Sequence, residues 1–172
     1  MNLNISSNSE KSNVFEQVAS ELAKENFKVI KQDQTRPWGG FFVLDEEQAP
    51  AFAAKYFPHL EMSEIQITNK LSPKILIVAP QKRLSWQYHF RRAEIWKVLS
   101  GIVGVKISPT DEEGEEVKQL VPETFIQMDK GERHRLIGLE SWGIVAEIWQ
   151  HTDPELPSDE DDIVRLQDDF GR

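Results

Sequence analysis

Two histidines, a glutamate and a glutamine in the segments Leu84–Trp96 and Lys130–Leu136 have the types and spacing of one chemical centre. In Ser85-Trp86-Gln87-Tyr88-His89, strand alternation puts Gln87 and His89 on one face, about 6–7 Å apart along the backbone. Glu94 opens the next strand after a short connection and can face the same point. His134, in Gly131-Glu132-Arg133-His134, adds a second imidazole. Gln87, His89, Glu94 and His134 together offer two nitrogen and two oxygen donors, with positions left for water or substrate, which suits one divalent metal ion. The chain has no cysteine, which excludes thiolate zinc, iron–sulfur clusters, disulfides and a Cys nucleophile. The donor set admits zinc, manganese, cobalt, nickel or iron without choosing among them. His59 and His151 lie outside the pattern and read as ordinary hydrogen-bonded residues.

The elements that must carry these groups are mostly strands. At 172 residues with 39% hydrophobic content, the chain can build one sizeable core. Short runs rich in Val, Ile and aromatics are predicted as strands at 41–44, 74–79, 94–99, 104–107, 117–121, 124–128, 135–137 and 143–149. Their spacing of roughly 8–12 residues predicts an all-β sandwich or barrel. Residues 1–12 are mostly Asn and Ser and are expected to fray. Val14, Phe15, Val18 and Leu22 recur at helical spacing, and Asn13 with Glu16 reads as an N-cap with a capping box. These predict a helix over 13–25 within an extension running to residue 35. A second short helix is expected over 50–60. Asp111–Glu116 reads as a solvated hairpin turn, and Ile163 and Leu166 are expected to pack the acidic C-terminal segment back onto the barrel.

The formal charge of −9 excludes general nucleic-acid binding, which needs clustered Lys and Arg. The acidity is local: residues 153–172 carry −6 and residues 111–116 carry −5, leaving +2 for the remainder. An anionic small-molecule substrate is therefore compatible with the composition. No stretch approaches the roughly 20 apolar residues of a membrane span, there is no secretory h-region, and a Walker or dinucleotide phosphate loop is absent. A cytoplasmic location without a membrane partner is expected.

The segments Arg36-Pro37-Trp38-Gly39, Leu84–His89, Arg92-Ala93-Glu94-Ile95-Trp96, Gly131–Leu136, and Glu160–Arg165 with Asp168–Arg172 occur in an order that resembles the cupin superfamily. Within it they resemble the domain of type II mannose-6-phosphate isomerases, found at the C-terminal end of bifunctional mannose-1-phosphate guanylyltransferase/isomerases. The resemblance implies a cupin jelly-roll barrel over residues 36–172 and a metal-dependent interconversion of mannose 6-phosphate and fructose 6-phosphate, or of a related sugar phosphate such as a heptose phosphate. It casts Glu94, Arg92 and Lys74 as catalytic residues, with Glu94 or Glu147 as the base. Arg36, Trp38, Arg83, Arg135 and Glu147 become substrate-binding residues, and a homodimer is expected by analogy. The chain departs from the family at Phe90 and Arg91, where further histidines are usual, and no guanylyltransferase segment is present. A sugar- or sugar-phosphate-binding cupin without catalysis is the alternative expectation.

Overall fold

The computed structural model describes Met1 and residues 3–171. Eleven strands are present among them: β1 (Val29–Asp33), β2 (Gly39–Leu44), β3 (Lys74–Val78), β4 (Trp86–Tyr88), β5 (Arg92–Ser100), β6 (Val103–Ser108), β7 (Lys118–Leu120), β8 (Phe125–Met128), β9 (Arg133–Gly138), β10 (Gly143–His151) and β11 (Val164–Gln167). They form a six-stranded sheet in the order β1-β2-β3-β10-β5-β8 and a five-stranded sheet in the order β11-β4-β9-β6-β7. Every strand pairing is antiparallel. This is the all-β cupin jelly roll that the resemblance implies, with an N-terminal helix added.

The central strands of the six-stranded sheet are apolar on both faces because both faces are covered. Ile75 and Ile77 of β3, Ile95 of β5, and Ile144, Ala146 and Ile148 of β10 face a helical layer. There they pack with Val14, Phe15, Val18 and Leu22 of α1 (Lys11–Lys24) and with Phe52 of α2 (Ala49–Tyr56). The alternate residues Leu76, Val78, Trp96, Val98 and Val145 join Val103, Val105 and Leu136 of the other sheet in the barrel core. Each fully buried large side chain contributes roughly 1.5–3 kcal/mol. The β5–β6 turn depends on Gly101, at φ +75°, where an added Cβ would lie 2.1 Å from the Trp142 carbonyl oxygen.

Several expected boundaries shift. Helix α1 begins at Lys11, because Val14 N–H already bonds to Glu10 O at 3.1 Å. Asn13 is therefore inside the helix, its Oδ1 accepting from Gln17 Nε2 rather than capping. Residues 3–9, expected to fray, are tied down: Leu3 and Ile5 pack against the helix–sheet core, and Trp142 Nε1 donates to Ser9 O. Asn2 lies outside the described residues. The predicted second helix ends at Tyr56, and a short α3 (Met62–Ile65) follows it. Strands β1 and β11 lacked a sequence signal, being edge strands with few buried residues. No helix among the described residues is long and apolar enough to cross a membrane.

Candidate functional site

The same alternation that builds the core places polar side chains at one end of it. Lys74 on β3, Arg92 and Glu94 on β5, and Glu147, Trp149 and His151 on β10 all continue the barrel-facing rows of their strands, and all are buried. β4 and β9 approach from the other sheet, with Gln87 directly opposite His134. His89 lies just past β4, where its carbonyl accepts from Gly131 N–H, so it is joined to the turn that leads into the strand of His134.

Glu94 sits between the two histidines. His89 Nε2 is 3.1 Å from Glu94 Oε1, and His134 Nε2 is 3.3 Å from Glu94 Oε2. The other nitrogen of each ring faces a backbone carbonyl: His89 Nδ1 lies 2.6 Å from Asp162 O, and His134 Nδ1 lies 2.9 Å from Glu132 O. A carbonyl only accepts, so each Nδ1 carries a proton, and Nε2 is the nitrogen each ring turns toward Glu94. Two imidazole Nε2 atoms thus converge on a carboxylate with all three side chains buried; Arg92 Nη2 lies 3.3 Å from His89 Nε2, whereas Glu94 Oε2 and His134 Nε2 have no hydrogen-bond partner. Buried polar atoms left without a partner are costly unless a cation joins them. His89, Glu94 and His134 fit a divalent ion on that ground, and their ligand atoms lie within 4.8 Å of one another.

Electrostatics keep this donor set ready. Burial lowers the His89 pKa. Burial opposes ionisation of Glu94, but the facing His89, Arg92 and His134 outweigh it and hold its carboxyl well below the usual range. Arg92 Nε donates to Glu94 Oε1 at 2.8 Å while its guanidinium stacks on Trp149, 3.6 Å from the ring centroid. Gln87 borders the same cavity, with its amide oxygen accepting from Ser85 Oγ at 2.6 Å.

Beside Glu94 and Gln87 lies a cleft with about 630 Å³ of empty space, partly open to solvent. Arg36, Trp38, Lys74, Arg92 and Glu147 line it. Burial first, and then the charge of Glu94, raise the Glu147 carboxyl to about 7. Its Oε1 accepts from Trp96 Nε1 at 2.9 Å, which fixes the group on the cleft wall.

Arg83 and Arg135 are not part of this cleft. Arg135 follows His134, so alternation sends it to the opposite face of β9. There both Glu113 carboxylate oxygens accept from Arg135 Nη1, and Gln167 O accepts from Nη2. Arg83 makes a two-pronged contact with Asp169 at 2.7 and 2.9 Å. Their guanidinium groups close the five-stranded sheet against residues 111–113 and the C-terminal segment. Residues 111–116 are accordingly more than a solvated turn, since Asp111 pairs with Arg133 and Glu113 with Lys106 and Arg135. Sequence reasoning also missed the work of residues 158–162. Asp162 accepts from Phe90 N, Arg91 N and Ser158 Oγ while its carbonyl orients His89. Their one sequence signal was the Glu160-Asp161-Asp162 run within the family-like segment.

Residues 45–168 match the family model described as Mannose-6-phosphate isomerase C-terminal. The chain belongs to this family. Among solved structures, this member of the mannose-6-phosphate isomerase C-terminal family is similar to the capsular polysaccharide assembling protein CapF from Staphylococcus aureus. The identity is 13% and the TM-score 0.53, over 80% of this chain and 34% of that one. It is also similar to vicilin from Solanum lycopersicum (tomato), at 15% identity and a TM-score of 0.51, over 81% of this chain and 34% of that one. The chain spans about a third of the length of each, and at such identities the likeness concerns the fold alone. No curated protein matches the sequence.

Proposed function

We propose that this protein is a metal-dependent aldose–ketose isomerase of a sugar phosphate, most simply converting mannose 6-phosphate to fructose 6-phosphate. The observation that carries the reading is the convergence of His89 Nε2, His134 Nε2 and Glu94, with Glu94 Oε2 and His134 Nε2 left unpartnered, beside a cleft that holds a carboxyl raised to about 7. His89, Glu94 and His134 would hold the ion, with Gln87 beside them as a candidate fourth donor. A divalent ion there supplies Lewis acidity toward the sugar's carbonyl and hydroxyl oxygens.

The chain's own groups supply the proton chemistry and the positioning. Isomerisation moves a proton between C2 and C1 of the sugar, and a base works best when its pKa lies near the working pH. Glu147, raised to about 7, meets that requirement; Glu94, held well below the carboxylate range, is the weaker base and the better ligand. Glu147 takes the C2 proton of the aldose and returns it to C1. Arg36, Lys74 and Arg92 gather positive charge along the cleft for the phosphate, and Trp38 gives the sugar ring an apolar wall.

The test is turnover of mannose 6-phosphate and of a pentose- and heptose-phosphate panel by metal-loaded protein. Conversion that disappears in His89→Ala supports the reading; fully loaded protein with no turnover on any member refutes it. One observation favours a binding cupin instead: Arg36, Lys74 and Arg92 are each already paired with a carboxylate, namely Asp33, Glu160 and Glu94. Calorimetric binding of a sugar phosphate without product would identify that case.

A further inference from the structure

The Lys74 ammonium is enclosed by the site: its side chain is 6% exposed, and Nζ sits 3.5 Å from the centroid of the Trp149 ring and 5.8 Å from that of Phe41. It hydrogen-bonds to Glu160 Oε1 at 2.6 Å, from a residue 86 positions later in the chain. Glu160 differs sharply in exposure. Its side chain is 59% exposed, so the carboxylate reaches into the cleft mouth from a backbone at the rim.

The backbone on either side of Glu160 is anchored independently. Asp159 O accepts from Arg92 Nη1 and Asp159 Oδ1 accepts from Arg91 Nη2, while Asp162 is held by Phe90 N, Arg91 N and Ser158 Oγ. The Glu160 side chain can therefore rotate into solvent without unfastening the segment that orients His89. A carboxylate that neutralises an enclosed cation from an exposed position has the charge, but not the fixed attachment, of a bound anion.

We infer that Glu160 is an internal stand-in for the phosphoryl group, occupying the anion subsite of Lys74 until a phosphate ester displaces it. This rests on the sugar-phosphate reading and deepens it by assigning the subsite and its competitor. The consequence is selectivity. A neutral sugar leaves the Lys74–Glu160 pair intact, whereas a phosphoryl dianion replaces one anion by another of higher charge and leaves the ammonium paired.

The experiment measures binding of inorganic phosphate, mannose 6-phosphate and mannose to the full chain by calorimetry at low ionic strength. Glu160→Gln, at an exposed position, removes the competitor without disturbing the anchored neighbours. Both phosphate ligands are expected to bind about fivefold tighter, the size of a partly exposed ion pair, and the gain shrinks with added salt. Mannose binding should not respond to residue 160. Lys74→Met, checked for folding by thermal unfolding, should remove the phosphate response in both backgrounds. Unchanged or weaker phosphate binding in Glu160→Gln, or phosphate binding that survives Lys74→Met, overturns the inference. Because the readout is binding, the two ideas separate: tightened phosphate binding without turnover on any sugar phosphate removes the isomerase reading alone, and turnover without tightening removes this one alone.

Discussion

The two faces of the six-stranded sheet are made from the same strands and are buried to a similar degree, yet they do different work. On β10, Ile144, Ala146 and Ile148 face the helices, while Glu147, Trp149 and His151 alternate with them toward the barrel. The helical side is closed by aromatic packing: the Phe52 ring lies 5.7 Å from Phe27, 4.8 Å from Tyr56 and 6.3 Å from Phe57. The barrel side leaves Glu94 Oε2 and His134 Nε2 without partners and keeps a cleft beside them. Burial by itself therefore marks nothing as functional. Unmet polar capacity within a buried cluster does.

The contrast breaks most decisively at the metal ligands. His134→Ala should lower metal-dependent turnover by more than about a hundredfold, since even losing a group that only orients a ligand costs 10–100-fold. Elemental analysis should show the metal gone, while thermal unfolding stays cooperative because the helical face is untouched. The converse change, Phe52→Ala, should destabilise the fold by about 3–5 kcal/mol in urea unfolding. Metal stoichiometry at low temperature should be unchanged; loss of the metal at that point would show that the two faces are not separable.

Smaller effects sharpen the comparison within the barrel. Asp162→Ala removes the acceptor for Phe90 N, Arg91 N and Ser158 Oγ and so loosens the carbonyl that orients His89. Metal affinity should fall about 10- to 100-fold, with little change in affinity if the segment merely covers the site. Glu147 gives the pH signature. Its folded pKa of about 7 stands above the ordinary 4.5, so the protonated form is favoured on folding. Its contribution to stability is complete below pH 4.5 and is lost as pH rises through 7. Metal-free Glu147→Gln should therefore lose less stability than the parent between pH 5 and 8, by up to about 3 kcal/mol; parallel profiles would show that Glu147 ionises normally.

Much of the fold was readable because the signals were local. Alternating and continuous apolar runs located β3, β5 and β10, and helical periodicity located α1 despite the shifted start. The site was readable as far as its ligand candidates, because Gln87, His89 and Glu94 are close in sequence and His134 closely follows the glycine turn at Gly131. The assignment of cations was not. Arg83, Arg135, Arg92 and Lys74 all stood beside family-like segments, yet Arg83 and Arg135 neutralise Glu113 and Asp169 on the far face of β9, while Arg92 and Lys74 line the cleft. One residue of register on β9 separates His134 from Arg135, and alternation sends them to opposite faces.

The amino-acid sequence by itself determined the chemistry available: no thiolate, two imidazoles and a carboxylate at strand spacing, cations around them, and acidity confined to two segments. Only the tertiary structure decided which of those groups meet. Lys74 faces Glu160 across 86 residues, and His89 is oriented by a carbonyl 73 residues away. It also decided that Glu94 is ionised while Glu147 titrates near neutrality, although the two are the same residue type on neighbouring strands. The reason is physical: a carboxyl's pKa is set by burial and by charges through space, and neither quantity is written in distance along the chain.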